Sequence, residues 1–185
     1  MVKKKTCVFI SGTGSNLKAL VKHSREYNFP VNINCIVSST IKAQGLNYAR
    51  LYKIPYYILN LNNRLNLELF FQKLKKREVS LICLAGYMKI LKKNFINKFN
   101  GKIINIHPSL LPKYKGLNTF KRILKSKEKI TGCTVHHVND LLDSGPKILQ
   151  KKIFIRTGEN EKSLRAKVQK IEYKAYSEAI IKLFR

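Results

Sequence analysis

The chain has no apolar run long enough for a membrane span, no Cys-x-x-Cys pair, no internal repeat, and no Pro-, Gly- or Ser-rich stretch that would separate two halves. A transmembrane helix needs about 20 consecutive apolar residues, so the first absence argues against one. At the amino terminus, Met1-Val2-Lys3-Lys4-Lys5-Thr6-Cys7 is basic, but Val8-Phe9-Ile10 is too short for a secretory apolar region before Ser11-Gly12 interrupts it. A soluble, cytoplasmic protein is expected. The four cysteines, Cys7, Cys35, Cys83 and Cys133, lie far apart in apolar or Thr-rich contexts. They read as reduced core thiols, with no disulfide framework or zinc site supported. The lack of repeats and linkers, with a length of 185 residues, predicts a single domain over 1–185. A domain of that size buries roughly 70% of its unfolded surface.

Acidic residues are also scarce: 10 Asp and Glu stand against 37 Lys and Arg, a formal net charge of +27. Such a balance ordinarily invites a nucleic-acid reading. Here the charge is spread from Lys3 to Arg185, no arginine-rich arm exists, and Lys, Asn and Ile are all abundant, as adenine/thymine-biased coding DNA would produce. Specific nucleic-acid binding is not expected. A positive field would still draw in anionic small molecules.

What is present is an alternation of short apolar runs and helical periodicity. Strands are predicted at 6–10, 32–37, 54–59, 79–85, 102–106, 129–138 and 147–155, with helices near 16–27, 44–52, 65–76, 118–126 and 159–184. The 79–85 run is apolar almost throughout, as a central parallel strand buried on both faces should be. The last helix places Leu164, Val168, Ile171, Ala175, Ala179 and Leu183 at steps of three and four. This pattern predicts an α/β fold, an open, mainly parallel, twisted sheet with helices on both faces, Rossmann-like.

Three places carry chemistry. Gly12-Thr13-Gly14-Ser15-Asn16 lies between a predicted strand and helix, where backbone N–H groups can hold a phosphate. It is not a dinucleotide fingerprint, because Leu17 takes the third glycine position and Ser38-Ser39 stand where an acid would follow. It is not a Walker A loop either, and a plain tight turn is an equal reading. In Asn105-Ile106-His107-Pro108, an amide and an imidazole at i and i+2 leave one face of a strand. That pair suits carbonyl chemistry, the amide donating to an oxyanion while the imidazole moves the proton. An Asx-type turn with a core histidine explains the residues equally well. Asp143, in Leu141-Leu142-Asp143-Ser144-Gly145-Pro146, would ordinarily cap its turn. His136 and His137 face opposite ways in a strand, one read as core and one as surface, and His23 is expected on an exposed helix face. No His/Cys/Asp cluster has ligand spacing, so no metal is expected.

Five segments in order bring a resemblance: Ile10-Ser11-Gly12-Thr13-Gly14-Ser15-Asn16-Leu17, Leu84-Ala85-Gly86-Tyr87-Met88-Lys89-Ile90-Leu91, the signature Asn105 to Pro112 continued by Lys113-Tyr114-Lys115-Gly116-Leu117, Thr131-Gly132-Cys133-Thr134-Val135-His136, and Asp140-Leu141-Leu142-Asp143-Ser144-Gly145-Pro146-Lys147-Ile148-Leu149-Gln150. Together they resemble the folate-dependent formyltransferases over nearly the whole chain. The resemblance implies transfer of a formyl group from 10-formyltetrahydrofolate, as co-substrate, to the amine of glycinamide ribonucleotide (5-phosphoribosylglycinamide), a step of purine synthesis, through a tetrahedral intermediate.

By the same resemblance Asn105 would donate to the oxyanion, His107 would stabilise it and move the proton, and Asp143 would orient the imidazole and raise its pKa. Gly14, Ser15 and Asn16 would bind the ribonucleotide phosphate. Glu172 would meet its glycinamide end, an exposed helix residue being nearly as good a reading. For the folate, Met88, Lys89, Ile90 and Leu91 would line the pterin pocket with Asn139, Asp140, Leu141 and Leu142, and Arg64 would lie near the glutamyl end. Three positions depart from the pattern: Lys89 stands for Arg, Lys115 for a proline and Ser144 for a glycine. If position 144 needs φ > 0, Ser144 carries strain. The carboxy terminus reads as trimmed, and a monomer or homodimer is expected. Methionyl-tRNA formyltransferase, a formyltetrahydrofolate hydrolase, and a basic nucleic-acid-binding module without catalysis are the alternatives.

Overall fold

The computed structural model describes residues 2–185. The chain divides into two compact units, Met1–Ile104 and Asn105–Arg185. Its strands follow the order β3-β2-β1-β4-β5-β6-β7 in one seven-stranded sheet.

In the first unit, β1 (Lys4–Ile10) is followed by α1 (Ser15–Ser24), β2 (Val31–Ser38), α2 (Leu46–Leu51), β3 (Tyr56–Ile58), α3 (Arg64–Lys76), β4 (Leu81–Leu84) and α4 (Lys93–Lys98). The pairs β1/β2, β1/β4 and β2/β3 are all parallel. Cys7, Val8, Phe9 and Ile10 are fully buried, because a strand paired on both edges and covered on both faces must be apolar at every position. Phe9 anchors an aromatic cluster, meeting Phe70, Tyr87 and Phe95 edge-on at centroid distances of 5.9, 5.2 and 5.9 Å, the arrangement that ring quadrupoles favour. The sequence reading missed α4, whose six residues bury only Phe95 and so show no period. The helix predicted over 16–27 stops at Ser24, with Arg25 as its C-cap.

β5 (Lys102–His107) begins in the first unit, and its last residues, Asn105, Ile106 and His107, open the second. There α5 (Thr119–Lys125), β6 (Ile130–His137), β7 (Lys147–Phe154) and α6 (Glu161–Phe184) follow. β6 and β7 pair antiparallel, Cys133 opposite Lys151 and Thr134 opposite Gln150. The mainly parallel α/β class expected from the alternation is the one observed.

Asn160 caps α6 by a capping box with Ser163. Its buried face is rotated from the predicted stripe: Leu164, Val168, Ala175 and Ala179 are buried, but Ile171 and Leu183 are half-buried, while Glu172, Tyr176 and Ser177 are inside. All four cysteines are buried. Among the described residues no helix is long and apolar enough to cross a membrane.

Candidate active site

Asn105 and His107 leave β5 two residues apart, just before Pro108 and Pro112 stop the chain from continuing as a strand. Asp143 comes to them from the β6–β7 connection. His107 Nδ1 lies 3.2 Å from Asp143 Oδ2, both side chains being 7% exposed. Asn105 Nδ2 donates to Asp143 Oδ1 at 3.4 Å and faces His136 Nε2 at 3.3 Å. The Gly116 N–H donates to Asp143 Oδ2 at 2.8 Å. The amide, the imidazole and the carboxylate singled out in the sequence therefore form one cluster, in which the His107 and Asp143 side chains are buried and Asn105 is half-buried.

His136 is a member that the sequence reading left out. It is 2% exposed, and its Nδ1–H donates to the His137 carbonyl at 2.8 Å. With Nδ1 so engaged, Nε2 lies between the Asn105 amide at 3.3 Å and Asp143 Oδ1 at 3.6 Å. Its place at the end of β6, two residues beyond the buried Thr134, puts it on the strand face that Thr134 shares, but the sequence does not say which face turns to Asn105.

The turn that carries Asp143 is set by backbone contact. His137 N–H donates to the Pro146 carbonyl at 2.9 Å, and a Cβ on Gly145 would lie 1.8 Å from the His137 carbonyl oxygen. Only glycine allows so close an approach. The strain expected at Ser144 is not there: the residue with positive φ is Asp143 itself, at 47°. Asp is among the residues that accept this region most readily.

Both ring nitrogens of His107 face acceptors, Nδ1 the Asp143 carboxylate and Nε2 the Tyr114 carbonyl at 2.8 Å. A neutral imidazole can donate to only one of them. Burial pushes the His107 pKa down, Asp143 and the Tyr114 carbonyl pull it up, and the net direction is down from the ordinary value. The expectation that Asp143 raises this pKa holds for its own contribution, but desolvation outweighs it. For Asp143, burial acts upward, yet the His136 hydrogen bond, the His107 charge and the Gly116 N–H together hold the carboxyl below its usual range.

In the first unit, Gly14 precedes α1 with φ 74° and no side chain caps the helix. The first-turn N–H groups of such a helix favour an anion. A Cβ on Gly14 would meet the Gly45 Cα at 2.5 Å, so a second backbone segment presses on the loop. Ser15 is half-buried and Asn16 is buried. Ser11 N–H donates to the Gly86 carbonyl at 3.2 Å, and Met88 N–H to Ser11 Oγ at 2.9 Å, which ties the loop to the 86–91 segment. In that segment Met88 and Ile90 are 61% and 69% exposed, and Lys89 is exposed. Leu91, at 5%, is core. Exposed Arg64 opens α3, whose N-cap Asn63 accepts from the Asn66 N–H.

In the second unit, Leu141 and Leu142 are exposed next to half-buried Asn139 and exposed Asp140, and Asn139 Oδ1 accepts from the Leu141 N–H at 3.2 Å. Glu172 is not the exposed helix residue that its position suggested. It is 6% exposed on α6, near enough to β6 that, after burial, its charge helps push the Cys133 thiol up to about 12. His23 is half-buried, with Nδ1 3.0 Å from Glu26.

A donor, a proton carrier and a carboxylate in one place suit an enzyme that works on an activated carbonyl carbon. The formyl transferase family model matches residues 4–180, and the chain belongs to this family. It is 40% identical over 185 residues to phosphoribosylglycinamide formyltransferase of Haemophilus influenzae, a match covering 98% of this chain and 87% of that protein. It is 37% identical over 182 residues to the trifunctional purine biosynthetic protein adenosine-3 of Homo sapiens. That match covers 96% of this chain but only 18% of the human protein. The crystal structure of phosphoribosylglycinamide formyltransferase from Anaplasma phagocytophilum is similar with a TM-score of 0.89 and 38% identity, covering 97% of this chain and 86% of that one.

Proposed function

We propose that the protein transfers the formyl group of 10-formyltetrahydrofolate to the amine of 5-phosphoribosylglycinamide. The observation that carries this reading is the cluster of Asn105, His107 and Asp143 in a chain that belongs to the formyl transferase family. The match of one family model to 4–180 supports 1–185 as one formyltransferase domain. The same reading makes it a cytoplasmic monomer or homodimer.

The amine attacks the formyl carbon and a tetrahedral adduct forms. Nitrogen gains a bond to carbon, the carbonyl π pair moves to oxygen, and collapse of the adduct expels the folate N10. One proton leaves the attacking amine and one is delivered to the departing nitrogen. Asn105 donates to the oxyanion. Its present hydrogen bonds, at 3.3 and 3.4 Å, are long and easily exchanged for a charged acceptor. His107 assists the oxyanion and carries the proton, and each ring nitrogen that gains one already faces an acceptor. Asp143 fixes the ring and offsets its charge. No covalent intermediate with the enzyme is needed.

In the first unit, the N–H groups from Gly14 to Asn16 hold the ribonucleotide phosphate. Met88, Lys89 and Ile90, with the Arg64 guanidinium for a carboxylate, serve the folate, and Leu91 supports that segment from the core. In the second unit, Asn139, Asp140, Leu141 and Leu142 serve the folate, and Glu172 serves the glycinamide end. The chain's positive charge favours approach of both anionic substrates.

Spectroscopic turnover of 10-formyltetrahydrofolate with and without 5-phosphoribosylglycinamide tests the reading. Turnover that requires the ribonucleotide is expected. Equal folate consumption without it identifies a hydrolase.

A further inference from the structure

His107 is held by two partners on two different loops: the Tyr114 carbonyl, in the turn that follows the β5 signature, and Asp143, between β6 and β7. Neither loop is regular structure, and Tyr114, Gly116 and Asp143 all have positive φ. What keeps the loops in register therefore decides whether His107 keeps its partners.

Two hydrogen bonds and one close approach join them. The Gly116 N–H donates to Asp143 Oδ2, and a Cβ at Gly116 would touch the Leu142 side chain at 3.4 Å. Lys115 Nζ donates to Ser144 Oγ at 2.5 Å. The Ser144 hydroxyl donates to the Leu142 carbonyl at 2.9 Å, so Oγ is oriented as an acceptor for the ammonium. The other end of Lys115 is also held, its carbonyl accepting from Arg122 Nη1 at 2.5 Å. Both side-chain partners are half-buried. Among the described residues, the side chain that Lys115 Nζ meets is a hydroxyl, a weak choice if the purpose were charge pairing and a suitable one for fixing a distance.

We propose that Lys115 and Ser144 are a positioning pair, a side-chain latch that holds the Tyr114–Gly116 turn against the Asp143 turn and so keeps both partners of His107 in place. Neither residue reacts with substrate. Its effect on turnover rests on the formyl-transfer reading above, whereas its effect on His107 does not.

The full-length protein with Lys115→Met, Ser144→Ala, Ser144→Thr and the Lys115→Met/Ser144→Ala pair provides the test. Histidine NMR titration without substrate is read beside kcat and KM. Four groups face His107 and act on its proton: Asp143, the Tyr114 carbonyl, His136 and Arg122. Loosening the latch weakens the two that favour the charged ring, so the His107 midpoint should move down in both single variants. The kcat should fall about tenfold, the scale of a small misplacement of a reacting group, with each KM within about twofold and the double variant no worse than either single. Ser144→Thr keeps the hydroxyl and should restore both readouts.

Removal of a bare through-space cation would instead raise the His107 midpoint in Lys115→Met and leave Ser144→Ala unchanged, which overturns the latch. A raised KM at constant kcat overturns it too, by making Lys115 a substrate-binding charge. So does an unmoved titration in both singles. Failure of the wild-type protein to use the ribonucleotide would remove the formyl-transfer reading alone, because the titration needs no substrate.

Discussion

Asp143 Oδ2 and His107 Nδ1 face each other at 3.2 Å with only 7% of either side chain exposed. Removing the charge while keeping the shape isolates what that contact does. In Asp143→Asn the carboxylate's upward pull on the imidazole is lost, so the His107 pKa, already below its ordinary value, should fall further. Turnover should drop by about a hundredfold or more, within the range of general acid–base contributions, with each KM nearly unchanged. Near-normal turnover, or an unmoved His107 resonance on titration, would sink the mechanism while leaving the fold intact.

The direction of the His107 shift also sets a pH dependence. Its folded pKa lies below the unfolded value of about 6.5, so near that pH the unfolded chain binds more protons, and stability rises with pH. The native contribution is complete above about 6.5 and is lost as pH falls from there through the folded pKa. Urea unfolding at several pH values between 5 and 7.5 should show a steeper acid-side decline in the wild type than in His107→Gln. Parallel curves would refute the assignment. The acid limb of the kcat/KM profile, which reports the free enzyme, should likewise have its midpoint below about 6.5.

For the glycine loop, Gly14→Val is a poor probe, because its Cβ would strike the Gly45 backbone and damage the fold. Ser15→Asp is cleaner. A carboxylate in the first turn of α1 suits the helix dipole but repels a bound phosphate. The KM for the ribonucleotide should rise at least about tenfold, corresponding to roughly 1.4 kcal/mol, while the folate KM and the melting temperature stay near wild type. Equal effects on both KM values would take the phosphate role away from this loop.

Leu91 and Met88 separate support from contact within one short segment. Leu91→Ala should cost about 2–5 kcal/mol of stability as a core truncation, measured by chemical denaturation. Met88→Ala, at a side chain 61% exposed, should leave stability unchanged and raise the folate KM. A destabilised Met88→Ala, or a neutral Leu91→Ala, contradicts the placement.

Much of the fold was legible in the sequence because its strands and longer helices carry unbroken periods. β4 and the Cys7–Ile10 part of β1 are apolar throughout and buried, and α3 begins within one residue of its predicted start. The failures are local and physical. The short helix α4 has a single buried residue, too few to show a period. Glu172 reads as surface in any hydropathy scheme, yet it is buried, because burial of a carboxylate is decided by its surroundings in the fold. In the site, Asn105 and His107 were legible from spacing along one strand. His136 was not, since its role depends on which face of β6 turns toward Asn105, a matter of pairing between strands. Lys115 and Ser144 stood out separately as departures from a pattern. Nothing in one dimension says that they touch, and across 29 residues of sequence they do.

Gly145 passes the His137 carbonyl so closely that even one added carbon would overlap it at 1.8 Å. Alanine scanning treats glycine-to-alanine as its gentlest exchange and expects its largest losses at residues with reactive atoms. At this position the ranking inverts. The aim of the carboxylate two residues upstream is set by atoms that are missing, so a saturation library should record one of its sharpest intolerances at a residue with no functional group. Repair should come from moving the opposing peptide, since every other side chain at 145 is larger still.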